Sequence, residues 1–364
     1  MLAAICRGST DFSRCKSQAL TNGVASVSSG RFSKNRAAML LLKAAVTIAC
    51  FWYVFVHIDV GELRRDFSHV HLQWVAAALV LLVVQIPLVA LRWMEIIRTL
   101  KIGATGLSYP YLCLGTAIGQ FFGQVMLVAA GDGLRAWFLT RLGGGWRDAL
   151  VSVALDRCVG VGLLLAFALA ILLLPSNLDV FAGYRTEVIA ILAAILLVCF
   201  IVLVLGGRLG AAFGGTGLRA WIGEFLSGAR RVTFGPRAVA ILGIGCLIHV
   251  LTIGAVWSLA RAQGLELSVD DAAVLFAIMV GVSLIPVAVG GGWGLREFAM
   301  VSLLGGYGLG AERALTFSLY FGFCVFIASL PGVFGWIAFA WPQASPIVDP
   351  DRVAQGASAP RHDN

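Results

Sequence analysis

The feature that most constrains this chain is a series of uninterrupted apolar runs at 37–56, 74–91, 109–130, 148–174, 186–206, 238–260, 271–290 and 316–341. Runs of around 20 residues match the roughly 30 Å hydrocarbon core of a bilayer at about 1.5 Å per helical residue. Inside hydrocarbon every backbone N–H and C=O must be paired, which leaves helices or closed barrels. Barrel strands are short and alternate polar with apolar residues, whereas these runs are long and continuous. Only 13% of the chain is charged, against about 25% in soluble domains. The expected fold is therefore an all-α polytopic integral membrane protein.

The net charge of +8 is better read as topology than as a nucleic-acid footprint. If all eight runs crossed, the basic 1–36 and 207–237 regions would lie on opposite sides, although cytoplasmic loops collect Lys and Arg. The conflict disappears if 109–130 enters and leaves on one face. Then 1–36, 92–108, 131–147 and 207–237 share the cytoplasmic side with 17 Lys/Arg, and 57–73, 175–187, 261–270 and 291–315 lie outside with 6. Run 271–290 must then be re-entrant too, which leaves about six full transmembrane helices plus two re-entrant segments. Gly115, Gly119 and Gly123 beside Gln120 and Gln124, and Gly281, Ser283, Pro286 and Gly290–Gly292 in the other run, fit backbone that protein or a wet cavity must cover.

The two re-entrant runs lead into related sequences, Gly131-Asp132-Gly133-Leu134-Arg135 and Gly292-Trp293-Gly294-Leu295-Arg296, each followed by a polar stretch ("WRDAL", "AERAL") and a helix. The shared order predicts an inverted repeat, about 74–174 and 238–341, with the working site near the repeat interface. Residues 1–36, which lack an apolar h-region, are expected to form a flexible basic cytoplasmic extension without a cleavable signal. The membrane domain is 37–341, and 342–364 a flexible tail. Along 218–232 the apolar residues fall on one helical face and Arg219, Arg230 and Arg231 off it. That pattern predicts a helix lying on an anionic cytoplasmic leaflet or a connecting helix packed on protein.

Glycine lets a backbone approach a ligand and expose N–H donors, and arginine brings forked donors suited to phosphate. Gly131, Asp132, Gly133 and Arg135, with Gly292, Gly294, Arg296 and Glu297, are thus candidate head-group binders; structural anchoring is the alternative. Asp156 and Arg157 lie about nine residues into a membrane helix, where charge is costly and faces the bundle interior. Asp156 is expected to hold Arg135 or Arg296 while Arg157 lines a cavity. His249 is mid-helix, either a hydrogen-bonded core residue or a proton carrier. For Arg92, Arg141 and Arg147 snorkelling suffices. The eight cysteines form no Cys-x-x-Cys and read as small buried hydrophobes. His69 and His71 lack a carboxylate or cysteine partner set, so no metal and no cofactor is expected, and no nucleotide-binding P-loop is present.

These residues resemble the lysylphosphatidylglycerol synthase transmembrane-region family, also called flippase-like. Its Gly-Asp/Glu-x-x-Arg is matched by Gly131, Asp132 and Arg135, and Asp-Arg-x-x-Gly by Asp156, Arg157 and Gly160. The late Pro…Gly-Gly-x-Gly-x-Arg-Glu is matched by Pro286, Gly291, Gly292, Gly294, Arg296 and Glu297, and Leu-Pro-Gly by Leu330, Pro331 and Gly332. Leu127–Val128 stands where the pattern carries a proline. The resemblance implies lipid translocation, and with the candidate arginines the expected substrate is an anionic phospho- or glycolipid of a bacterial inner membrane; the charge distribution places the N-terminus in the cytoplasm. The expected partners are the lipid substrate, anionic lipids at the cytoplasmic face beside 218–232, and a lipid-synthesis enzyme. Aminoacyl transfer is not expected. A membrane-embedded lipid-modifying transferase using Asp156 as base, or an accessory lipid-binding protein, are the competing readings.

Overall fold

The computed structural model describes residue 52 and residues 70–103, 107–126, 128–173, 183–212, 217–283, 292–304 and 310–340. The 1–36 extension, the 342–364 tail, nearly all of run 37–56 and residues Pro286 to Gly291 lie outside the described residues. Helices α1 (Leu72–Leu100) and α7 (Ala238–Ala262) form an antiparallel central pair. The N–H of His71 donates to the Ala262 carbonyl (2.8 Å) at one end. At the other, Arg237 donates to Glu95 (2.6 Å). At about 1.5 Å per residue, 29 residues exceed a hydrocarbon core, so the last turns of α1 carry Glu95, Arg98 and Lys101 beyond it.

The run 109–130 is not one segment. It forms α2 (Tyr109–Val125) and, after a break at Met126, continues into α3 (Val128–Arg141). The glycines explain the pairing. A Cβ on Gly119 would sit 2.8 Å from the Gly131 carbonyl, and one on Gly131 would strike the Gly119 carbonyl; Gly115 faces the Phe138 ring at 3.1 Å. Hydrogen is the largest substituent that this antiparallel pair admits at those positions.

Helices α4 (Trp146–Leu173) and α5 (Arg185–Ala212) follow, then α6 (Leu218–Phe234). Arg147 pairs with Glu224 (2.9 Å), Gly228 lies against Leu100 and Leu155, and Gly144 lies beside Ile102. The connections 101–103 and 142–147, the helix α6 and the start of α7 thus gather at one end of the bundle. Eight simple crossings would place the first two of these on opposite sides.

The apolar face of α6 packs in part on the bundle, while Leu218 stays exposed. Val232 is buried, and Trp221, Phe225 and Ala229 pack on Ile96, Val151, Leu155 and Ile241. Gly206 and Gly210 of α5 admit it closely, since their Cβ atoms would lie 2.7 and 2.8 Å from the carbonyls of Leu226 and Gly223. The exposed face is the basic one, with Arg219, Arg230 and Arg231. Burying these side chains in protein satisfies the same hydrophobic drive that a lipid surface would.

The second half runs through α8 (Val269–Ser283), α9 (Leu295–Leu304), α10 (Ala311–Ser329) and α11 (Pro331–Ala340). The expected run 316–341 is divided at Pro331, which has no N–H to continue the ladder. Gly332, the next residue, then meets the backbone of Ala117 so closely that a Cβ would clash, and α11 lies along α2. The largest apolar core joins α1, α4, α7, α8, α9 and α10 around Phe276, Met279 and Phe317. Among the described residues five helices are long and apolar enough to cross a membrane: Leu72–Leu100, Trp146–Leu173, Arg185–Gly210, Ala238–Ala262 and Ala311–Ala338. No strand occurs among them. The chain is a multi-pass, all-helical membrane protein.

Candidate functional site

A cavity of about 250 Å³ opens where α2 and α3 meet α1, α4 and α7. Its polar wall is built around Asp156, which α4 carries into the interior at 1% exposure. Arg92 Nε donates to Asp156 Oδ1 (2.8 Å) and Arg135 Nη2 to Oδ2 (2.9 Å). Both arginines are buried, at 6% and 3% exposure. The carboxylate is clamped by one cation from α1 and one from α3. A third arginine, Arg157, reaches the same cavity and is bound by both oxygens of Asp132 (2.9 Å each), a pair that stays partly open to solvent. Adjacent helical residues point about 100° apart, which is why Asp156 and Arg157 serve different partners.

The position of Arg135 is fixed twice more. Its guanidinium lies over the Trp93 ring, 4.5 Å from the centroid. Trp93 is itself held by its indole N–H donating to Ser152 Oγ (3.1 Å), and Ser152 donates to the Ala149 carbonyl (2.8 Å). The tight α2–α3 contact at Gly119 also presses on the Arg135 stem, with a Cβ there only 2.6 Å from its Cγ. Yet among the described residues Arg135 Nε meets no hydrogen-bond partner, and neither does the buried hydroxyl of Thr116 on the same wall. Three guanidinium groups face two carboxylates, which leaves one net positive charge and an unfilled donor in a largely buried space.

The other wall carries His249, whose Nε2–H donates to the Gly160 carbonyl (3.1 Å) while Phe167 and Phe276 flank the ring. Gln120 and Gln124 line the cavity from α2.

The two glycine–arginine motifs differ in conformation. Gly131 and Gly133 lie within α3, where Gly131 serves the helix contact and Gly133 has open space beside it. Neither forms the N–H nest that the spacing alone allows. Gly292 and Gly294 do take left-handed backbone, φ 97° and 86°, just before α9. There Glu297 Oε2 accepts the Gly294 N–H (2.6 Å), and Oε1 accepts from Arg296 Nη2 (2.6 Å) and Ser318 Oγ (3.1 Å). A carboxylate of the chain thus occupies the anion position at this helix start. Arg296 and Glu297, at 2% and 0% exposure, form a separate closed cluster with Trp293 and Phe321, and they do not line the cavity. In each motif, however, the arginine reaches the helix that follows: Asp156, 21 residues on, and Ser318, 22 residues on.

Arg92, Trp93 and Thr116 belong to this site although their sequence context reads as bland. The signal for Arg92 was the spacing Arg92, Glu95, Arg98, which continues a helical face past the apolar run. Among the described residues, no three His, Cys, Asp or Glu side chains cluster as metal ligands.

The model of the lysylphosphatidylglycerol synthase TM region matches residues 40–332. The chain belongs to this family. Among curated proteins, none matches this synthase TM-region member. The matched span contains every residue of the cavity and of the Arg296–Glu297 cluster.

Proposed function

We propose that this protein translocates an anionic lipid, a phospho- or glycolipid, across a bacterial inner membrane, with the head group lodged in the cavity beside Asp156. The observation that carries the reading is the surplus charge: Arg92, Arg135 and Arg157 against Asp132 and Asp156, with Arg135 Nε unpartnered. Uncompensated charge is costly at membrane depth, and a phosphate oxygen facing Arg135 would offset it with a charge-assisted hydrogen bond. The α2–α3 pair is the re-entrant hairpin of this reading, and the basic end of the bundle is its cytoplasmic face. The matched reach of Arg135 and Arg296 onto the next helix supports an inverted repeat. In that repeat the first copy keeps an open anion site, and the second has filled its own with Glu297.

Transport is favoured over transferase chemistry because both oxygens of Asp156 are held by guanidinium groups. A carboxylate so engaged is not turned toward a substrate proton, as a general base must be. The test is purified protein in liposomes with a head-group-labelled anionic phospholipid and an impermeant quencher. Arg135→Gln is expected to reduce translocation by about 10- to 100-fold, the weight of a charged hydrogen bond of about 1.5–3 kcal/mol. An unchanged rate would remove the cavity from the pathway, and chemically altered lipid would establish a transferase.

A further inference from the structure

Next to the charged cavity lies a second depression of about 300 Å³, walled by α4, α5, α8 and α9 and lined almost wholly by carbon. The two share a helix face. On α4 the residues Asp156, Arg157, Gly160, Val161 and Leu164 line the first, and Ala168, Ile171 and Leu172 line the second. At about 100° per residue these positions fall within an arc of about 160°. On α8, Val280 lines the first between Ile278 and Gly281, which line the second.

We propose that this groove holds one acyl chain of the lipid whose head group occupies the charged cavity, so that the protein binds an amphiphile along α4 rather than a head group alone. The inference rests on the cavity being an anion site. Length supports it: from Val161 to Leu172 the helix rises about 16 Å, close to half of the roughly 30 Å hydrocarbon core and hence to the depth of one leaflet. Polarity supports it as well, since the stripe passes from Asp156 and Arg157 to hydrocarbon, as a lipid passes from head group to chain. Gly281 is the permissive position. Among the described residues a Cβ there meets nothing within 4 Å, so none of them fills the space. The outer wall is α5, whose membrane window has no buried residues, so the groove borders the lipid phase from which a chain would enter.

The experiment uses the full chain in vesicles containing a phosphatidylglycerol with a photoreactive diazirine midway along one acyl chain. Adducts are mapped by peptide mass spectrometry. They are expected on 168–172 of α4 and 277–282 of α8. Gly281→Leu, which fills the groove, is expected to lower them about tenfold, equivalent to roughly 1.4 kcal/mol. Gly162→Leu, on the opposite face of α4 and also with open space, is expected to leave them unchanged. If Gly281→Leu does not fold, Ala168→Phe fills the groove from the α4 side. Adducts spread over outward residues such as Ile195, Val198 and Phe200, or groove adducts indifferent to both filling substitutions, overturn the proposal. The head-group reading is separated by Arg135→Gln. Full groove labelling in that variant retains the acyl site and refutes the charged cavity as its anchor. Arg135-dependent translocation combined with labelling indifferent to Gly281→Leu refutes the groove alone.

Discussion

Asp156→Asn is the most informative single change in this protein. The carboxylate is almost fully buried and gives one oxygen to Arg92 and the other to Arg135. Asparagine keeps one acceptor and turns a donor NH₂ toward the second guanidinium, so one arginine loses its partner and meets like polarity. The Arg92–Asp156–Arg135 cluster goes from one net positive charge to two. Breaking a buried pair from one side costs about 3–5 kcal/mol, a fall in melting temperature on the order of 10 °C at about 2–4 °C per kcal/mol. Arg135→Gln is the milder change, because Arg92 still holds the carboxylate and the cluster becomes neutral; its expected loss is about 1.5–3 kcal/mol. The double variant Asp156→Asn/Arg135→Gln should lose about 0.5–3 kcal/mol less than the two singles together. Melting in mild detergent, followed by loss of the monodisperse peak in size exclusion, measures all three. Added phosphatidylglycerol should raise the melting temperature of Asp156→Asn more than that of the parent, because a lipid phosphate can replace the missing anion. The reasoning fails if Asp156→Asn melts within about 2 °C of the parent, under 1 kcal/mol, or if the two changes are additive.

Gly131→Leu should prevent α2 and α3 from closing and leave little folded protein, whereas Gly133→Ala, with open space beside it, should be neutral or stabilise by up to about 1 kcal/mol; expression and melting of the pair decide. Glu297→Gln should destabilise, because the amide keeps one acceptor and turns an NH₂ toward either Arg296 or the Gly294 N–H, while Arg135-dependent lipid binding survives in whatever folds. In a cysteine-free background, single cysteines at 101, 146 and 231 should all react with an impermeant maleimide from one side of sealed vesicles. Labelling of 146 from the other side would refute the hairpin topology.

The apolar runs made the helical bundle legible, because a bilayer permits almost nothing else. The glycines at 115, 119 and 123 marked the paired helices, and depth within α4 marked Asp156 as an interior charge. Arg92 was hidden by a boundary: with the run 74–91 ended at 91, it looked like a terminal snorkelling arginine, but α1 continues to Leu100 and leaves it two turns inside. The identical Gly-x-Gly-Leu-Arg strings concealed two conformations, since glycine is compatible both with a helix interior that needs close approach and with left-handed backbone. Only the neighbours decide: Gly119 opposite Gly131, and Glu297 three residues after Gly294. The amphipathic pattern of α6 had the same ambiguity, for a protein groove and a lipid surface ask for the same stripe. Pro331 interrupts the last run because a proline two-thirds of the way along can end a helix or merely bend it; Leu330 keeps helical backbone and Ala311–Ala338 still serves as one span, so here it bends.

The carbonyl-to-glycine contact between α2 and α3 bears on how such a molecule can work. Two helices that touch through main chain cannot slide or splay without losing the fit, and α11 is locked onto them at Gly332. The pair is then a single unit, fastened to α4 by Arg135 to Asp156 and by Arg157 to Asp132. If the cavity takes an anion as proposed, an anion that takes over as counter-ion to Arg135 would loosen the first of these fastenings in the act of binding. On that proposal the cargo would also be the key.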